Sequence, residues 1–127
     1  MPYNMKNNIE IELHTNYIKD QSAPALNRYV YAYTITIMNT GDIAAKLISR
    51  HWVITDGHGN TQEVRGEGVI GEQPHIEPGE SYEYTSGTVM ETPVGSMHGS
   101  YQMINDDSEE FDATIPAFTL STPHALH

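Results

Sequence analysis

Between Arg28 and Thr40 the chain reads Arg-Tyr-Val-Tyr-Ala-Tyr-Thr-Ile-Thr-Ile-Met-Asn-Thr, and that stretch limits the fold more than any other. Tyr29, Tyr31, Tyr33, Ile35 and Ile37 share one parity; Val30, Ala32, Thr34, Thr36 and Met38 share the other. Successive side chains of a strand point to opposite faces, so a period of two puts each set on its own face. β-Branched and aromatic residues suit such a pleated, half-buried surface. One strand is not stable alone, so the rest of the chain must supply partners for it.

It does. Ile9, Ile11 and Leu13 alternate with Asn8, Glu10, Glu12 and His14. Lys46 to Thr55 reads as a strand with Ile48, Trp52 and Ile54 in phase. Arg50 has that same parity, so part of this face must reach solvent or meet a carboxylate. Asp56-Gly57-His58-Gly59-Asn60 is a hairpin signal, from which Thr61 to Arg65 returns. Glu77-Pro78-Gly79-Glu80 is a turn with proline in its favoured place. Ser81 to Met90 follows with Tyr82 and Tyr84 on one face, and Thr92-Pro93 ends it. Met97, Gly99, Tyr101 and Met103 are in phase along Met97 to Asn105, and Asn105 to Glu110 turns the chain again. Phe111 to Leu120 is the last strand, and Pro116 puts it at an edge or a bulge. No window supports a helix of ordinary length. Roughly seven or more short strands between regular turn signals predict an all-β protein, an antiparallel β-sandwich. One domain is expected over residues 1–127, with 1–8 and 121–127 as loose termini.

Charge and composition narrow the function. A chain of 127 residues can bury about two thirds of its unfolded surface around one core. Six basic against seventeen acidic residues give a net charge of −11. That charge opposes nucleic acid and anionic membranes, which need basic patches, and suits a cation or a basic protein partner. Without cysteine there is no disulfide framework, thiolate nucleophile or thiolate zinc site. No apolar signal region opens the chain and no long apolar run crosses it, so a cytoplasmic protein without membrane association is expected.

Gly66-Glu67-Gly68-Val69-Ile70-Gly71-Glu72-Gln73-Pro74 has the glycine spacing of a dinucleotide-binding turn. Such a turn works only where a helix N-terminus follows to hold the pyrophosphate. Pro74, Pro78 and Gly79 oppose that helix, and Glu67 and Glu72 bring carboxylates to where a phosphate would lie. A bulged or sharply turned loop between strands is predicted, its glycines serving positive φ or close backbone approach. Arg50, Arg65, Gly66, Glu67, Gly68, Gly71 and Glu72 are the candidate binding residues. Their structural reading is an arginine–glutamate ion pair that pins the loop. Their functional reading has Arg65 and the loop N–H groups meeting an acidic peptide or a phosphate.

Other chemistry is sparse. Asp106, Asp107, Glu109 and Glu110 offer oxygen ligands for a hard cation but lack the spacing of an EF-hand loop. A solvated hairpin tip that discourages edge-to-edge pairing explains them more simply. The seven histidines are dispersed, and His51, in antiphase to Trp52, is expected to face away from that ring. His124 and His127 offer two nitrogens to a transition ion, but a frayed C-terminus is the simpler account of them. No Ser-His-Asp set lies in a motif with a mechanism, and nothing selects a glycosidase-like carboxylate pair. Neither enzymatic activity nor a cofactor is expected.

Ser49-Arg50-His51-Trp52-Val53-Ile54-Thr55-Asp56, the Gly66–Pro74 stretch, Gly99-Ser100-Tyr101-Gln102-Met103 and Ile115-Pro116-Ala117-Phe118 together resemble the ApaG family. The resemblance runs from about Ile9 to Leu120. It implies an immunoglobulin-like, or fibronectin type III-like, sandwich. Bacterial members are associated with cobalt resistance and magnesium efflux, and their genes sit near a diadenosine polyphosphate hydrolase. Similar domains in eukaryotic F-box proteins and in a DNA polymerase-interacting protein look like interaction modules, and no catalytic residue comes with the family. The expectation is a non-enzymatic protein-interaction module acting around residues 65–74. Two alternatives stay open: direct weak divalent-cation binding, and nucleotide or pyrophosphate binding, diadenosine polyphosphate included, at the glycine loop. An open edge strand leaves a homodimer available.

Overall fold

The computed structural model describes residues 6–123. Eight strands are present among them: β1 (Ile9–Tyr17), β2 (Tyr29–Asn39), β3 (Ala45–Asp56), β4 (Thr61–Glu67), β5 (His75–Ile76), β6 (Ser81–Met90), β7 (Val94–Asn105) and β8 (Glu110–Ser121). Two single 3-10 turns, Lys19–Gln21 and Pro24–Leu26, join β1 to β2. One sheet has the order β1-β2-β6 and the other β4-β3-β7-β8, with β5 added on β3. All pairings are antiparallel. Two face-to-face antiparallel sheets in this order are the immunoglobulin-like, fibronectin type III-like sandwich.

The period-two pattern does what it predicts from Tyr31 onward, while Tyr29 is only partly buried and Val30, of the other parity, is buried. Tyr31, Tyr33, Ile35 and Ile37 of β2 are buried, while Thr34, Thr36 and Met38 between them are only partly so. They meet Leu47, Trp52, Met97, Tyr101, Met103, Ile115 and Leu120 from the opposite sheet. Trp52 is central: Tyr33 packs edge-on at 5.5 Å between ring centroids and Phe118 at 6.0 Å. Aromatic edges favour ring faces, so this trio gains more than its buried area alone. The hydroxyls of Tyr31, Tyr84 and Tyr101 find partners, as burial requires. The Tyr31 hydroxyl donates to the Pro93 carbonyl at 2.7 Å, and burial pushes its pKa up to about 12. The Tyr84 and Tyr101 hydroxyls share a hydrogen bond across the core, and burial raises both pKa values above the ordinary range.

Pro116 meets both of its expectations. β8 is an edge strand, and its pairing with β7 slips between Met97↔Phe118 and Gly99↔Ile115. A second slip changes the reading of β3. Its register with β7 shifts between Leu47 and Ser49, so Leu47 is fully buried and Ile48 only partly so. Ile48 is therefore not the continuation of the Trp52 face, because one extra residue reverses the parity.

The loose N-terminal arm expected over residues 1–8 does not extend to its last three members. The Thr40 N–H donates to the Asn8 carbonyl at 2.9 Å and the Asp42 N–H to the Lys6 carbonyl at 3.1 Å. The Lys6 ammonium pairs with Asp107 at 2.9 Å and also with Glu109. At the other end Ser121 belongs to β8, and the Thr122 N–H donates to the Pro93 carbonyl at 3.1 Å. His124 and His127 lie outside the described residues.

Candidate functional site

The glycine stretch lies where the chain leaves one part of β3 and rejoins another. β4 pairs with β3 from Ser49 to Thr55, and β5 pairs with Ala45 and Lys46. Between them the β3 bulge frees the Ile48 carbonyl, which accepts from the Gly68 N–H at 2.8 Å and from Gln73 Nε2 at 2.9 Å. The Leu47 N–H donates to the Pro74 carbonyl at 2.9 Å. Both feet of the loop are thereby stitched to a central strand.

Within the loop, Val69 and Glu72 exchange hydrogen bonds at 2.8 and 2.9 Å, which leaves Ile70-Gly71 as a two-residue turn. Its central residues have φ of +42° and +80°. Positive φ at both centres defines the tight hairpin turn whose twist matches that of strands. Val69 beneath is 1% exposed and part of the core, whereas Ile70 at the tip is 58% exposed. Sequence reasoning missed Ile70. Its only signal was an Ile-Gly pair flanked by residues able to close a turn, and Ile is a poor choice for positive φ.

The predicted glycine roles hold at each position. Gly68 has φ +62°, and a Cβ there would lie 2.2 Å from the Glu72 carbonyl oxygen. Gly71 needs the positive φ alone, since a Cβ would meet nothing within 4 Å. Gly66 lies in β4, where a Cβ would sit 2.8 Å from both terminal nitrogens of Arg50.

The Arg50 guanidinium thus lies over Gly66, and its Nη1 donates to the carbonyls of Glu67 at 3.1 Å and Gly68 at 2.9 Å. This corrects the expected ion pair. Arg50 does pin the loop, but through backbone oxygens. Glu67 and Glu72 are exposed and make no ion pair among the described residues. Arg65 is not brought to Arg50 either. It pairs in register with His51, so its side chain belongs to the other face of the sheet. There it is 71% exposed and 3.7 Å from Glu63, which also receives His51 Nε2 at 2.7 Å. His51 does face away from buried Trp52. For a phosphate the loop is poorly supplied, because the Gly68, Val69 and Glu72 N–H groups are all used internally and a strand, not a helix, follows.

The acidic turn between β7 and β8 is occupied by the protein's own cations and amides. Lys6 holds Asp107 and Glu109, and the Asn105 side chain accepts from the N–H groups of Asp107 and Glu109. His75 Nε2 lies 2.8 Å from Asp106 and Nδ1 3.6 Å from Glu77. Among the described residues no three His, Cys, Asp or Glu side chains converge as a metal site needs. Asp106, by its hydrogen bond, raises the His75 pKa above its ordinary 6.5. A raised folded-state value stabilises the fold below the unfolded value and loses that contribution as pH rises through it. Urea midpoints measured at about pH 6 and pH 8.5 are expected to show this decline, and His75→Gln to remove part of it. Equal pH slopes in the two proteins would contradict the assignment.

With the geometry in place, the comparisons with known proteins agree on one family. The ApaG domain model matches residues 19–105. The ApaG protein of Nitrosospira multiformis is 61% identical over 122 residues, 96% of each chain, and that of Azoarcus sp. is 60% identical over 119 residues, 94% of each. The crystal structure of a Bordetella pertussis protein designated ApaA superposes with a TM-score of 0.91 at 44% identity, covering 94% of this chain and 97% of that one. Matched by the family model and by relatives that cover nearly its whole length, the chain belongs to the ApaG family.

Proposed function

We propose that the protein is a non-enzymatic interaction module that presents the 65–74 loop to a protein partner. The observation that carries this reading is Ile70, a β-branched residue held at φ +42° and left 58% exposed at the tip of a fully hydrogen-bonded turn. Left-handed backbone costs a residue with a Cβ about 1–2 kcal/mol, and burial of this side chain within its own chain does not compensate for it. Strain of this kind collects at sites where a side chain is held for something else. A rigid, exposed aliphatic anchor ready for a pocket on another protein is such a use, since it loses little entropy on binding. Arg65 and Glu67, exposed on the adjacent strand, supply a polar rim. Any part in cobalt resistance or magnesium efflux, the association of the family, is exerted on this reading through the partner, not through an ion held by this chain.

Ile70→Asn separates strain from stability, because asparagine tolerates left-handed backbone. The variant is expected to be more stable by about 1 kcal/mol, measured by urea unfolding, and to lose the partners that the natural protein captures from cell extract. Unchanged capture by this stably folded variant would remove the loop from the function.

A further inference from the structure

β4 ends one sheet and β6 the other, and residues of both strands line one cavity, so these two edges lie on the same side of the sandwich. Several of their inward positions, Ser86, Thr88, Gln62 and Gly66, are small or polar where a closed core would be apolar. Ser86 and Thr88 follow Tyr82 and Tyr84 along the inner face of β6, and Gln62, Val64 and Gly66 stand opposite Ile54, Trp52 and Arg50 on β4. The sheets therefore do not close, and a slot opens between them. One cavity of about 400 Å³ is lined by Tyr33, Arg50, Trp52, Gln62, Ser86 and Thr88 among others. A second, of about 160 Å³, continues it under Val69 and Ile70 and shares Tyr33, Arg50, Trp52 and Ser86 with the first.

Two residues that line the slot carry donors that the fold leaves unused. Trp52 is 2% exposed, and its Nε1–H is buried with no hydrogen-bond partner among the described residues. A buried orphan donor is uncommon in a native protein and calls for an acceptor. Arg50 spends only Nη1 on the loop carbonyls; Nε and Nη2 make no hydrogen bond among the described residues. Arg50 is also the one charge lining either cavity, in a chain of net −11. No carboxylate of the described residues shares the slot with it. The outer edge of β6 is free as well, since β6 pairs only with β2. An unpaired edge beside a side-chain pocket is the arrangement that takes up an extended peptide as an added strand.

We propose that the slot between β4 and β6 receives an extended peptide segment of a protein partner. Its backbone adds to the edge of β6, one carboxylate reaches the Arg50 guanidinium, and an oxygen accepts from Trp52 Nε1. The net negative charge of the protein repels a strongly acidic segment, so a single carboxylate between neutral or basic residues fits best. This deepens the interaction reading and rests on it, but it places the contact beneath the loop, inside the slot.

Trp52 is the only tryptophan, so one indole N–H resonance reports on the slot. The probe is the acetylated, amidated peptide Lys-Thr-Val-Glu-Val-Thr-Lys, compared with its glutamine counterpart and with sodium acetate. The glutamate peptide is expected to shift the indole resonance and the amides of Ser86 to Val89, and the glutamine peptide to bind at least about tenfold more weakly. Arg50→Gln should abolish the response. Because Arg50 also holds the loop, Ser86→Leu serves as the second variant, filling the slot with Arg50 intact and expected to abolish it equally. Silence of the indole resonance at millimolar peptide, or equal affinity for the two peptides, overturns the proposal. So does acetate reproducing the whole shift at the peptide's affinity, which makes the slot a small-anion pocket. A silent slot together with loss of partner by Ile70→Asn removes the slot and leaves the loop reading standing.

Discussion

Gly68→Ala is expected to destabilise the protein by about 3 kcal/mol and to lower its melting midpoint by roughly 10 °C. Two separate costs add. The φ of +62° is strained for any residue with a Cβ, and that Cβ would lie 2.2 Å from the Glu72 carbonyl oxygen. The second cost cannot be relieved by a side-chain rotation, because the clashing atom is backbone and Val69 and Glu72 are already tied to each other. Relief requires the turn to open, which withdraws Val69 from the core. Gly71→Ala is the control. It meets nothing within 4 Å and carries only the φ penalty, about 1 kcal/mol. Thermal unfolding of the two variants side by side checks the difference; equal losses would mean that the loop does not hold this shape in solution.

The two arginines are expected to differ as sharply. Arg50→Gln leaves the Glu67 and Gly68 carbonyls without their charged donor, at a cost of about 2–3 kcal/mol. Arg65→Ala removes a side chain that is 71% exposed and 3.7 Å from its carboxylate, and is expected to change stability by less than about 0.5 kcal/mol. Urea unfolding measures both. If Arg65→Ala proved the costlier, the loop would be held by surface charge after all. The comparison also separates structural weight, since Arg50 holds the loop through two backbone carbonyls whereas Arg65 makes only an exposed contact with Glu63.

These residues also mark where the sequence could and could not be read. Alternation along Tyr31 to Ile37 is a direct image of the pleat, so that part of β2 and its buried face were legible residue by residue, whereas Val30, of the other parity, is buried as well. Turn chemistry was equally open: Asp56 caps its hairpin by accepting from the N–H groups of His58 and Asn60, and Gly79 takes φ +85° after Pro78. The glycine loop was legible as a shape because glycine spacing reports conformation. Its fastening was not. Arg50 binds carbonyl oxygens, which every residue carries, so no side chain in the sequence announces the partner. The bulge at Ile48 was hidden for a related reason: a one-residue slip leaves apolar residues on both sides of it and only the pairing partner reveals the change of face. β5 is two residues long, too short for a period. Ile70 was passed over because its residue type argues against the conformation it adopts, and such local conflicts with propensity are where a functional reason is to be sought.

The arrangement has a mechanical logic. A loop that carries an exposed apolar tip needs a foundation that does not move, and here each foot is bonded to β3 while Val69 is sunk between the sheets. Loops on rigid sandwiches carry recognition in this way because ordering has been completed before the partner arrives.

The most direct measurement is hydrogen–deuterium exchange of the natural protein, alone and bound to the partner that it captures from extract. Slowed exchange concentrated in residues 65–74, with β6 joining it if the slot is filled, is the predicted footprint. Protection confined to β1, to β8 or to the turn at Asp106–Glu110, with the loop unchanged, would contradict the account.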